Sequence, residues 1–144
     1  EWKFQIVGDG HYLKTIEQEI NLKKLPRIEL LGFQKPDDYY KKASIFMMPS
    51  AYEGLPNTIL EAQSYGCPVI AFDSYPALKW IVKENENALL AKPFNTKEMA
   101  NLTVSLCKNP ERLKKMQNHA LANVQRFNID RIGEQWLEVF ESLN

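Results

Sequence analysis

Residues 44–72 read SIFMMPSAYEGLPNTILEAQSYGCPVIAF. Ser44 to Met48 is an apolar run stopped by Pro49, and Pro68 to Phe72 is a second one. Each has the length of a buried strand. Between them Pro56 presets φ for a helix start. The helix predicted from Pro56 runs to Tyr65 and stops at Gly66, a residue suited to the left-handed position after a helix. Strand, helix, strand with short links predicts a parallel pair joined by a helical crossover.

The same alternation extends in both directions. Upstream, Trp2 to Val7 reads as a strand broken by Gly8-Asp9-Gly10. A helix follows from His11 to Lys24, with Leu13, Ile16 and Ile20 on one face. Arg27 to Leu31 is the next strand, ended by Gly32, and Pro36 opens a short helix through Lys42. Downstream, Pro76 to Lys83 reads as helix and Asn87 to Leu90 as strand. Asn95-Thr96 caps a helix to Cys107, Pro110 starts one to Arg126, and Asp130 is expected to cap a last helix near Leu143. The fold class predicted is α/β: a Rossmann-like, doubly wound parallel sheet flanked by helices. Ligands of such folds bind beyond the carboxyl ends of the strands.

Composition narrows the function. The 144 residues suit one domain, 1–144, with 44% hydrophobic and 25% charged residues. Lys plus Arg and Asp plus Glu are both 18, without the basic excess expected of a nucleic-acid binder. The two His and two Cys are scattered along the chain, without the paired spacing of a zinc site. Cys67 and Cys107 show no motif, which suits a reducing, cytoplasmic setting. No apolar run approaches the roughly 20 residues of a membrane span. The first strand is under way at the first residues, so the chain is expected to be a piece of a longer protein.

The chemistry is concentrated after the third strand, from Pro49 to Ala62. Gly54 allows backbone to approach a ligand. The N–H groups near Gly54, Leu55 and Asn57 are expected to be donors at a positive helix end, where a phosphate binds well. Glu53 precedes this helix and Glu61 lies eight positions on. Helical side chains tilt toward the N-terminus, so Glu61 reaches back toward the same region. A carboxylate accepts paired hydrogen bonds from vicinal hydroxyls, which sugars and ribose offer. Thr58-x-x-Glu61 also matches a capping box, which would make Glu61 structural; the pattern alone leaves both readings open.

These residues resemble the Glu-x7-Glu motif of retaining glycosyltransferases of family 4, the "group 1" family of two-domain GT-B architecture. Pro49-Ser50-x-Tyr52-Glu53-Gly54-Leu55-Pro56, Glu61-Ala62 and Tyr65-Gly66-Cys67-Pro68-Val69-Ile70-Ala71 follow its consensus in order and spacing. Ile6-Val7-Gly8-Asp9-Gly10 and Leu30-Leu31-Gly32-Phe33 resemble two more landmarks. Glu86-Asn87-Ala88-Leu89-Leu90 resembles a third, with Ala88 in place of Gly.

The resemblance implies a C-terminal, donor-binding domain that is truncated at its N-terminal edge and lacks the acceptor domain. Glu53 would contact hydroxyls of the donor hexose, and Gly54, Leu55 and Pro56 would line the hexose and phosphates. Asn57 borders the same pocket. Glu61 would bind the ribose, Gly32, Phe33 and Gln34 would sit against the base, and Gly8 and Gly10 would shape the neighbouring loop. The implied substrate is a nucleotide sugar, a UDP-sugar ahead of a GDP-sugar, with no metal or other cofactor. The implied acceptor is a glycan, a lipid-linked glycan or a small molecule held by the missing domain, with peripheral association of the parent at the inner face of the membrane. Family members carry an Arg and a Lys on the diphosphate, upstream of the strand that ends at Gly8. Without them, this piece alone is expected to be inactive. A non-catalytic nucleotide-binding or interaction module of the same fold is the alternative.

The remaining residues carry blander readings. Gly8-x-Gly10 lacks the third Gly of a dinucleotide fingerprint, because position 13 is Leu13. His11 reads as a surface position, and His119, mid-helix among polar residues, reads as inert. Asp37-Asp38 reads as a pair of first-turn acids. Ile129, Ile132, Trp136, Val139 and Phe140 form an apolar stripe at helical spacing.

Overall fold

The computed structural model describes residues 1–143, which form two compact units divided after Lys41. The first unit holds β1 (Phe4–Val7), α1 (Leu13–Leu22), β2 (Ile28–Gly32) and α2 (Asp37–Tyr40). β1 and β2 pair in parallel, with Phe4 opposite Ile28 and Ile6 opposite Leu30. The register shifts between Ile6 and Val7. Beyond it the Gly8 amide donates to the Gly32 carbonyl at 2.8 Å. Gly8 and Gly32 have φ of 139° and 64°, a region that side chains disfavour. On the exposed edge Glu29 accepts from Lys3 Nζ and Gln5 Nε2, each at 2.8 Å. The Lys3 hydrogen bond, then that of Gln5 and the Lys3 charge, hold the Glu29 carboxyl below its ordinary range.

The second unit holds β3 (Phe46–Met48), α3 (Asn57–Ser64), β4 (Val69–Phe72), α4 (Leu78–Ile81), β5 (Ala88–Ala91), α5 (Thr96–Cys107), α6 (Pro110–Val124) and α7 (Ile129–Ser142). A 3-10 turn, Gln125–Phe127, joins α6 and α7. The strands lie in the order β3-β4-β5, all parallel, with Phe46 opposite Val69 and Val69 opposite Ala88. This is the predicted α/β fold of parallel sheets flanked by helices. All four residues of β4 are buried, as a central strand covered on both faces requires.

Alternation along β4 builds two cores. Val69 and Ala71 pack with Met48, Ile59, Tyr75, Leu78 and Ile81 on one face. Ile70 and Phe72 pack with Leu89, Ala91, Met99, Leu106 and Met116 on the other. The first core therefore takes α3 and α4, and the second takes α5 and α6.

Helix ends follow local chemistry. Asn95 Oδ1 accepts the Glu98 amide at 3.0 Å to cap α5, and Asn109 Oδ1 accepts the Arg112 amide at 2.9 Å to cap α6. Gly66 has φ of 79°. Its amide reaches the Gln63 carbonyl at 2.9 Å while the Cys67 amide reaches Ala62 at 3.0 Å, a Schellman closure of α3. The last helix corrects the expectation for Asp130. Asn128 Oδ1 is the cap, accepting the Asp130 amide at 3.0 Å. Asp130 lies in the first turn, where its charge suits the positive helix end.

Candidate functional site

The loop from Pro49 to Pro56 leaves β3 at its carboxyl end. Ser74, just past the carboxyl end of β4, donates its hydroxyl to the Ser50 carbonyl at 2.9 Å. This bond ties the loop to the neighbouring strand end. Within the loop Glu53 is half-buried, while Tyr52 and Leu55 are exposed. A Cβ placed on Gly54 meets no protein atom within 4 Å. No packing within the chain therefore demands glycine there, and open space lies beside it.

Pro56 corrects the predicted helix start. It precedes the first turn with φ −78° and ψ 82°, the backbone of an inverse γ-turn. The Asn57 amide closes that turn on the Leu55 carbonyl at 2.9 Å. Asn57 is therefore not the open donor expected of it, since its own chain supplies the acceptor. The Ile59 amide donates to the Pro56 carbonyl at 3.0 Å. Among the described residues the amides of Gly54, Leu55 and Thr58 donate to no backbone carbonyl. Anion-binding capacity at this helix start therefore rests on those three.

The capping-box alternative is also decided. No side chain caps α3, whose first residue is Asn57, so Thr58 lies inside the helix. The Thr58 hydroxyl faces Met48 Sδ at 4.0 Å instead. Glu61 occupies the second turn on the exposed side. It lies about 6 Å along the axis from Asn57 at the rise of an α-helix.

Tyr75, just past the carboxyl end of β4, is 3% exposed. Its hydroxyl donates to Met48 Sδ at 3.7 Å. Burial, and then the charge of Glu53, push the Tyr75 phenol up to about 12. Tyr75 and Ser74 were absent from the sequence-based candidates. The rule that ligands bind at strand carboxyl ends applies after β4 as well as after β3, and would have found them.

The first unit carries the other predicted residues at the carboxyl ends of its own two strands. The Gly10 amide donates to Asp9 Oδ1 at 2.7 Å, and Gln34 Nε2 donates to the Leu31 carbonyl at 2.8 Å. Gln34 thus keeps its side-chain amide on its own strand end. Phe33 is 83% exposed, a large apolar surface open to a flat partner. No helix among the described residues is long and apolar enough to cross a membrane.

Comparison with known proteins adds an independent line. The family model described as "Glycosyl transferases group 1" matches residues 1–122. An uncharacterized glycosyltransferase of Haemophilus influenzae is 31% identical over 143 residues, covering 94% of this chain and 39% of that protein. The poly(glycerol-phosphate) alpha-glucosyltransferase of Bacillus subtilis is 27% identical, covering 94% of this chain and 20% of that protein. The chain thus spans well under half the length of these relatives. Among solved structures, Anabaena HepE in complex with UDP superposes with a TM-score of 0.88 at 26% identity. That match covers 97% of this chain and 41% of HepE.

Proposed function

Since the chain belongs to the group 1 glycosyl transferases, we propose that it is the donor-binding part of an enzyme that transfers a hexose, with retention, from a UDP-sugar. The observation that carries this reading is the loop and helix after β3. There a half-buried carboxylate, an uncrowded glycine and three amides without a backbone acceptor adjoin one helix start.

In this reading Glu53 takes hydroxyls of the hexose. The amides of Gly54, Leu55 and Thr58 face the diphosphate, and Glu61 accepts the two ribose hydroxyls. Negative charge builds on the departing diphosphate in the transition state. Donors already oriented toward it lower the barrier without reorganising. The resemblance of the Glu53-x7-Glu61 segment to the family-4 motif supports the family-4 assignment and retention. The UDP-bound HepE supports the choice of nucleotide. The nucleotide sugar enters as substrate, and no resident cofactor is assigned. A glycan or lipid-linked acceptor, and any peripheral membrane association, belong to the complete polypeptide.

The test is calorimetry and turnover of the complete polypeptide with a panel of UDP- and GDP-sugars. Binding of a UDP-sugar, with transfer or hydrolysis lost in Glu53→Gln, is expected. Unchanged turnover in both Glu53→Gln and Glu61→Ala would remove the site assignment. Donor binding without turnover in the unsubstituted protein would favour a non-catalytic module.

A further inference from the structure

Gln63 is fully buried in α3, a helix whose other buried residues are Ile59 and Ala62. Its side-chain amide belongs to a chain of hydrogen bonds. Asn123 Nδ2, on α6, donates to the Ile81 carbonyl and to Gln63 Oε1, each at 2.7 Å. Gln63 Nε2 donates to Asn87 Oδ1 at 3.2 Å. The Lys83 amide donates to the same oxygen at 2.9 Å.

Both ends of this chain are backbone groups. A carbonyl only accepts and an N–H only donates, so the orientation of all three side-chain amides is determined.

Stability alone does not account for the arrangement. Asn87 Nδ2 is buried without a hydrogen-bond partner among the described residues, a cost that an apolar core avoids. What the network supplies is direction. Contacts of Ile59 and Ala62 are nearly indifferent to a small rotation of α3, whereas hydrogen bonds are not. Glu61 lies two residues before Gln63, about 200° around the helix. Pinning Gln63 on the inner face therefore sets where Glu61 points on the outer face. A rotation of about 20° would carry a side-chain tip by about 2 Å at the radius of a helix with side chains. That is enough to break a hydrogen bond.

We propose that Gln63 is a positioning residue, held by Asn87 and Asn123, that sets the rotation of α3 at which Glu61 meets both ribose hydroxyls of the donor. The proposal rests on the ribose role given to Glu61 above. Gln63→Leu is a suitable variant because Asn87 Oδ1 keeps the Lys83 amide and Asn123 keeps the Ile81 carbonyl.

The experiment compares affinities for UDP and 2′-deoxy-UDP in the complete polypeptide. The two ligands differ only at the ribose, so their ratio reports Glu61 placement and is insensitive to general loosening. The unsubstituted protein is expected to prefer UDP about tenfold or more, as loss of one charge-assisted hydrogen bond implies. Glu61→Ala should bring the ratio near one. Gln63→Leu should do the same while keeping a native circular dichroism spectrum.

A native ratio in Gln63→Leu beside a collapsed ratio in Glu61→Ala overturns the positioning role and leaves the ribose role standing. A native ratio in Glu61→Ala, or no preference in the unsubstituted protein, removes the ribose role and the positioning role with it. If Gln63→Leu does not fold, Asn123→Ala breaks the network from α6 and reads the same ratio. Failure of both to fold assigns the network to the fold instead and overturns the proposal.

Discussion

Tyr75 stands within the electrostatic reach of Glu53: burial pushes its phenol up to about 12, and the Glu53 charge adds to the rise. The hydroxyl donates to Met48 Sδ, on the strand from which the Glu53 loop departs. A residue after β4 thus feels the charge of the candidate carboxylate after β3.

The pH consequence has a definite sign. The folded phenol has a raised pKa, so its contribution to stability is full below the unfolded value of about 10. It is lost as pH rises through about 12. Ultraviolet titration should show Tyr75 among the last phenols to ionise, and Tyr75→Phe should remove that phase. Denaturant unfolding of Tyr75→Phe should lack the part of the stability loss that Tyr75 causes in this window. An unaltered titration curve in Tyr75→Phe would refute the assignment.

Glu53→Gln should lower turnover about a hundredfold or more, the scale on which a single transition-state contact is felt. The side chain is only half-buried, so thermal stability should hold within a few degrees. Turnover and melting measured on one preparation separate the two effects.

Gly66→Ala should destabilise the second unit by about 1–2 kcal/mol, the cost of a left-handed residue bearing a Cβ. The added Cβ would meet Leu121 at 3.5 Å, an ordinary contact, so backbone conformation alone sets the cost. Urea unfolding measures it. A loss well above this range would mean the Leu121 contact is tighter than described.

On α7 Trp136 and Phe140 stack at 5.8 Å between ring centroids, yet no residue of the helix is buried. Ile129, Trp136, Leu137 and Phe140 are each more than half exposed. A contiguous apolar stripe of this kind favours association. Sedimentation of the 144-residue chain should show concentration-dependent self-association that Trp136→Glu weakens. A monomer at every concentration would count against it.

The residues that were legible in advance are those with local causes. The uninterrupted Val69-Ile70-Ala71-Phe72 run announces a strand buried on both faces. Gly66 announces the stop of α3, and Asn95 the start of α5. The position of Glu53 and Glu61 after β3 also follows from chain order, because strand ends collect loops in this class of fold.

Other features depended on partners distant in sequence. Pro56 suits a first helical turn and a γ-turn equally, and its neighbours chose the second. Asp130 and Asn128 both have capping side chains, and the backbone at Asn128 decided between them. Asn87 stands in a segment that resembles a family landmark, but nothing local in the sequence pairs it with Gln63 or Asn123. Their bonds span 24 and 60 residues, so no local window contains them.

Local preference and hydrophobic period sufficed for the order of elements and the class of fold, because they act within a few residues. The tertiary structure alone decided which buried amides pair, that the Tyr75 hydroxyl meets Met48 Sδ, and that the Asn57 amide is spent on its own turn. Those outcomes depend on direction and desolvation, which exist only once strands and helices from separate parts of the chain have met.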